Sequence, residues 1–343
     1  MITESLCEVV QHNCNIVDAK HAGNFTLCIY LMKMREYCRW DKGYSYTDQL
    51  SKEELGEWVT ERELLWDQLD EKMFQPIQID GVTFDPFDTD AINAALMPQG
   101  MVYSGGIGAR AVPHFFLGKL DNKQTFDGYQ IVTSSEECAR DLSSPPAMTL
   151  QDKIFIRKES VRRMLWEKVQ EWQWHKLENA ASRAFSYYDF DKDVNSALDH
   201  MTEVESRAII LHELGEIETS EHLGQQWKVL LAGASSSRLD LMLRAVKDFY
   251  ADALVTLPAL IDNENRASLH FYAANMSPLR KQLCPSFFTV YQQWCESSDL
   301  SKLSAWVEKS QAHWASVCHQ ILRKYEDNKL ETELEQYIEN NLL

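Results

Sequence analysis

From Lys158 to Leu343 the chain spaces its apolar side chains at helical intervals and leaves little room for any other pattern. Tracts over about 158–185, 197–224, 237–258, 266–276, 286–296, 301–325 and 329–341 each read as helix, and no internal repeat relates them. Helices in such a run have only one another to bury their apolar stripes against, so a helical bundle of roughly 190 residues is the expected outcome.

The first half reads differently. Residues 24–40 carry apolar side chains at 27, 28, 31, 34 and 38, which marks an amphipathic helix, with Asn24 as its N-cap. A second helix is predicted over about 52–73, opened by Ser51 with Glu54 three residues on, a capping box. Beyond Pro76, "IQIDGVTF" alternates around an Asp-Gly and predicts a hairpin. "AVPHFFLGKL" and "YQIVTS" read as further strands joined through "DNKQTFDG", and "YSGGIGAR" as a hairpin loop rather than a phosphate cradle. The Ser- and Pro-rich "DLSSPPAMT" at 141–149 has the character of an exposed boundary. The expected fold is therefore mainly α: an N-terminal α+β domain over 1–148 with a small antiparallel sheet, followed by a helical-bundle domain over 149–343.

With 52 acidic against 34 basic residues the net charge is -18, which repels nucleic-acid backbones and anionic membrane surfaces. The nearest approach to a basic cluster is Arg157-Lys158 with Arg162-Arg163, too small to steer a polyanion. No apolar run approaches the roughly 20 residues that span a bilayer, and the N-terminus lacks a signal-peptide pattern, so a cytoplasmic location is expected. Eight cysteines without a CxxC exclude a zinc ribbon and a thioredoxin-type motif.

Candidate chemistry centres on "ILHELGEIETSEHLG" at 210–224. His212-Glu213 followed by Glu216 differs from a zinc-protease HExxH in having glutamate at the second histidine, and Glu213 lies off the shared stripe. Helical geometry brings Glu205, His212 and Glu216 within about 40° of one another, among Met201, Ala208, Ile209, Thr219 and Leu223. Buried carboxylates and an imidazole need partners, and a divalent metal or an arginine would serve. Asp248 and Asp252 share a face of the next predicted helix, with Arg244 one turn earlier. His270 adds an imidazole on a third helix. The expected metal ligands are Glu205, His212, Glu216 and Asp252, with His270 as ligand or catalytic proton carrier. A carboxylate and imidazole set of this kind suits Fe, Mn or Zn. The competing expectation is a salt-bridge network satisfied by Arg244 on Asp248 and by Arg207 or Arg266 on a glutamate.

Three other groups carry weaker signals. His12, Cys14, Asp18 and His21 read as a polar capped turn between helices, with a Cys–His pair or metal ligands as the chemical alternative. Glu171, His175 and Glu178 read as a solvated face, and Trp166, Trp172 and Trp174 as packing anchors. Glu308, His313 and His319 repeat the same ambiguity.

Through "NCNIVDAKHAG", "YLMKMREYCRW", "PHFFLG", "LHELGE" and "LHFYAANMSPLR" the chain resembles a widespread bacterial family of uncharacterised cytoplasmic proteins, a resemblance that implies no activity. The separation of Glu205 and His212 is also similar to that on the first metal-bearing helix of haem-oxygenase-like di-iron enzymes. Two functions are carried forward: a metal-dependent enzyme or sensor, and a non-catalytic interaction or assembly factor with a buried polar network.

Overall fold

The computed structural model describes residues 4–108, 111–126, 128–175, 177–327 and 329–343, the side chains at 174 and 175 excepted. The chain forms two compact units, one of Met1–Gln170 with Phe190–Ser206, the other of Glu171–Asp189 with Arg207–Leu343.

In unit 1, α1 (Glu4–His21) is followed by α2 (Leu27–Asp41) and α3 (Lys52–Asp67). The polar segment expected to be a turn lies within α1, because Leu6, Val10, Cys14 and Val17 make a continuous stripe that buries against Tyr103, Phe115 and Leu117. Its asparagines are used in tertiary contacts: the Asn13 amide exchanges bonds of 2.7 and 2.8 Å with the main chain of Gln75. Asn24 is not the cap of α2, which begins after Thr26. Ser51 caps α3 as expected, its Oγ accepting from the Glu54 N–H at 3.1 Å.

Strands β1 (Ile77–Ile79) and β2 (Val82–Phe84) form the expected hairpin, with Asp80 and Gly81 both at positive φ. After α4 (Thr89–Leu96), a larger sheet follows: β3 (Met101–Ile107), β4 (Pro113–Phe126), β5 (Tyr129–Arg140), β6 (Ala147–Leu150) and β7 (Lys153–Arg157), in the order β3-β4-β5-β7-β6. This sheet is mixed, since β5 and β7 run parallel from Gln130↔Lys153 to Ser134↔Arg157. Gly105 and Gly106 of "YSGGIGAR" lie in β3 rather than a loop, with Gly108 just beyond its end: Gly105 hydrogen-bonds Thr89 in both directions at 2.9 Å and has no room for a Cβ beside Pro86. Ala109 and Arg110 of that segment lie outside the described residues. Residues 121–126, expected as a connection, continue β4.

The Ser-Pro stretch is buried or half-buried, not exposed as its composition suggests. Asp141, Leu142 and Ser144 are buried, and β6 follows directly. Polar side chains tolerate this burial because they bond one another. Arg157 pairs with Glu137 through two bonds of 2.8 and 2.7 Å and donates to Ser144 Oγ at 2.7 Å. Ser160 completes the network on Glu137.

Unit 2 is helical. It holds the end of α5 (Lys158–His175), α6 (Ala180–Phe185) and the part of α7 (Val194–Gly233) from Arg207 on. Gly224, at φ 68°, kinks α7 where the sequence predicts a helix end. The next helix does not stop at Pro258. It runs as α8 (Ser237–Ala251), a π turn over Asp252–Thr256, and α9 (Leu257–Asp262). Pro258 lacks an N–H and its ring crowds the carbonyl one turn back, which accounts for the widened turn before it. Then come α10 (Arg266–Asn275), α11 (Pro278–Leu283), α12 (Pro285–Ser297), α13 (Ser301–Glu326) and α14 (Glu331–Glu339), around a core that includes Trp227, Phe249, Phe287, Trp294 and Trp314. Among the described residues no helix is long and apolar enough to cross a membrane.

Candidate metal centre

Close approach of α7 to the end of α8 builds the site. Gly215 makes that approach possible, because a Cβ there would lie 2.6 Å from the Ala251 carbonyl oxygen. With the backbones this near, His212 and Glu216, which flank Gly215 on α7, meet Asp248 and Asp252 from α8 and the π turn.

His212 lies between two carboxylates: Nδ1 is 2.7 Å from Asp252 Oδ1, and Nε2 is 3.3 Å from Glu216 Oε1. Each carboxylate has a second, cationic partner. Lys247 Nζ is 3.0 Å from Glu216 Oε2, and Arg280 Nη2 is 2.5 Å from Asp252 Oδ2. Arg280 also donates to the Tyr272 hydroxyl at 3.0 Å and lies 4.5 Å from the Phe249 ring. Asp252 is fully buried, whereas His212 and Glu216 are about one-third exposed, so the cluster opens on its Glu216 side.

Burial opposes charge throughout, and the neighbours decide which groups keep it. Burial would lower the His212 pKa, but the Asp252 carboxylate, with help from Glu216, holds it well above the usual histidine range. Glu216 is brought down to about 2 against the burial penalty, chiefly by the His212 hydrogen bond and the Lys247 charge. Asp252 is likewise held low by His212 and Arg280, although burial acts to raise it. Asp248 is the exception: burial pushes its carboxyl up to about 6, Arg280 opposing and Glu216 adding to the rise.

One group of three or more His, Cys, Asp or Glu side chains falls within ligating reach of a common ion among the described residues. Its members are His212, Glu216 and Asp248, each offering an atom within 4.8 Å of the others. Of the residues singled out from sequence, His212 and Glu216 belong to this group, and Asp252 touches it through the far nitrogen of the imidazole. Glu205 is buried on the part of α7 that belongs to unit 1 and is not a member. His270 is not a member either. Its Nδ1 lies 2.8 Å from the Tyr291 hydroxyl, its ring stacks on Trp294 at 4.4 Å, and burial lowers it to about 4, a neutral imidazole.

Arg244 turns away to Asp240 at 3.0 Å, and Arg266 meets Glu264 and the Ser298 carbonyl. Lys247 and Arg280 are the cations that sequence reasoning missed. Lys247 is a neighbour of Asp248, but Arg280 comes from a separate short helix and has no local signal. Cys14 is buried with its thiol directed to the Phe115 carbonyl, and burial pushes its pKa well up, which disfavours the thiolate a nucleophile needs. Asp18 accepts from the Leu142 N–H at 2.8 Å. His313 bonds the Asn341 carbonyl, while the His175 side chain lies outside the described residues.

The chain is thus a two-unit, mainly helical protein whose helical unit carries a histidine and carboxylate cluster flanked by cations. It belongs to a family of unknown function, DUF6866: the family's N-terminal domain matches residues 5–157 and its C-terminal domain residues 162–342. No curated protein and no solved structure matches it.

Proposed function

We propose that the helical unit binds one divalent metal through His212, Glu216 and Asp248, and that the protein is a metal-dependent enzyme. The observation that carries this reading is the convergence of three ligand atoms within 4.8 Å across two helices, in a half-open position. A tetrahedral site with bonds of about 2.1 Å spaces its ligands about 3.4 Å apart, so side-chain adjustments of roughly 1 Å close the shell. Asp252 then serves as the carboxylate that fixes the imidazole from its other nitrogen, the usual support for a ligating histidine. Two carboxylates and one imidazole suit Zn, Mn or Fe. Zinc would favour a metal-activated water as the reacting group; iron would favour oxidative chemistry. The reading carries with it a bacterial cytoplasmic setting, in which the eight cysteines stay reduced.

One observation favours a second reading, a non-catalytic protein with a polar network inside. His212, Lys247 and Arg280 balance Glu216, Asp248 and Asp252 without help. Metal content of protein purified without chelator separates the two. The metal reading expects one ion per chain, lost in both His212→Ala and Asp248→Asn. Metal-free wild-type protein, with Asp248→Asn more stable because an awkwardly buried carboxyl has gone, would establish the network instead.

A further inference from the structure

A second site, independent of the metal centre, lies in unit 1. A cavity of about 150 Å³ opens between α2, the loop after it, the end of β5 and the start of α5, and four arginines line it: Arg39, Arg140, Arg162 and Arg163. Arg39 and Arg163 are committed, and Arg162 is committed in part. Arg39 pairs with Glu36 and holds the carbonyls of Ser45 and Asp48. Arg162 donates from Nη2 to Asn195 at 3.2 Å, its Nε lying 3.2 Å from Asp199 without a hydrogen bond, and Arg163 donates to the Ser144 carbonyl and Ser160.

Arg140 differs. It is 1% exposed, and its Nε and Nη1 have no hydrogen-bond partner among the described residues. Its main chain is fixed: the N–H donates to Gln11, and the carbonyl accepts from Gln11 and the Tyr37 hydroxyl. Its guanidinium is held over the Tyr37 ring at 4.9 Å and the Trp40 ring at 5.3 Å, and Trp40 itself lines the cavity. A buried, permanently charged fork with unmade donors is costly unless an acceptor completes it.

The carboxylates at the cavity are Glu36 and Glu159. Glu36 is already shared between Arg35 and Arg39. Glu159 is pushed up to about 7 by burial and by Glu137, and one of its oxygens accepts the Glu137 N–H. Positive charge therefore exceeds negative here, in a chain whose net charge is -18.

We propose that this cavity is a binding site for a phosphate-sized tetrahedral oxoanion, with Arg140 as its central ligand and Arg162 at its rim. Guanidinium groups arriving from β5 and α5 suit a tetrahedral dianion better than a planar carboxylate, which a single fork satisfies. The volume corresponds to about five waters, enough for phosphate, whereas pockets for larger organic ligands start near 300 Å³.

Calorimetric titration of the full chain with inorganic phosphate tests this, with acetate as the comparator. Wild type is expected to bind phosphate at sub-millimolar concentration and acetate at least about tenfold more weakly. Arg140→Met should abolish binding. Arg162→Gln, at a partly exposed position, should weaken it several-fold while leaving the near-ultraviolet circular dichroism of the tryptophans unchanged. His212→Ala should bind phosphate like wild type, which separates this site from the proposed metal centre. Wild type without phosphate binding, Arg140→Met binding normally, or acetate binding as tightly as phosphate would each overturn the proposal.

Discussion

Gly215→Ala is the sharpest perturbation of the candidate centre, because it adds one methyl group where two helices touch. The new Cβ would lie 2.6 Å from the Ala251 carbonyl oxygen and 3.3 Å from Val255 Cβ, and parting the helices by 0.4–0.8 Å brings it from a clash to between the tightest contact (3.0 Å) and ordinary contact (3.4 Å). The His212–Asp252 bond, now 2.7 Å, would stretch to about 3.1–3.5 Å, at or past the edge of hydrogen bonding. Losing a charge-assisted bond costs about 1.5–3 kcal/mol. Overpacking adds about 1–3 kcal/mol. Replacing glycine by alanine inside a helix returns about 1 kcal/mol. A net destabilisation of about 1.5–5 kcal/mol follows, measurable as a lower urea midpoint at unchanged slope. Metal content should fall with it, because the imidazole loses its orienting carboxylate. A variant as stable as wild type, or more stable, with its metal content intact would show that this contact does not set the geometry.

Asp252→Asn should cost about 3–5 kcal/mol, since it leaves Arg280 and the imidazolium without their shared carboxylate. Its metal affinity, followed by competition with a chelating dye, should drop about 10–100-fold and not vanish, which distinguishes an orienting carboxylate from a ligand. His270 should make unit 2 acid-sensitive. Its folded pKa is lowered to about 4 from 6.5, so the stability from the neutral ring is complete above pH 6.5 and is lost as pH falls through that window. The loss reaches about 3 kcal/mol, and His270→Phe, which keeps the stack on Trp294, should flatten this part of a denaturation-against-pH profile.

Much of the helical half was legible because burial there follows the helical period. The helical period singled out His212, Glu216 and Asp252 as expected ligands, and in the structure His212 contacts both carboxylates. Glu205 shared the stripe, yet the stripe crosses from one unit to the other between Ser206 and Arg207. Periodicity along a helix carries no information about what stands beside each turn. Arg280 was invisible for the same reason: its pairing with Asp252 spans 28 residues and is made by folding alone.

The sheet was misjudged for a different reason. "DLSSPPAMT" has the composition of a surface linker, but composition reports average solvation and not the partners a polar group finds. Once Arg157 and Glu137 are buried as a pair, Ser144 and Ser160 become the least costly neighbours they can have, and a polar stretch turns into interior.

The π turn bears most directly on function. Asp248 and Asp252 stand four residues apart, and on an unbroken helix nothing would separate a ligating role from an orienting one. Pro258 widens the turn that begins at Asp252, and the Gly215 contact falls on the carbonyl just before it. Asp252 is thereby buried against the Nδ1 face of His212 with Arg280 on its other oxygen, while Asp248 remains half-buried within ligating reach of His212 and Glu216. Straightening that turn with Pro258→Ala would restore an N–H donor but rotate Asp252 relative to Asp248, so a gain in helix stability should come with a loss of metal affinity. Local irregularities of this kind are frequent at functional sites, and here the π turn gives two carboxylates four residues apart different neighbours.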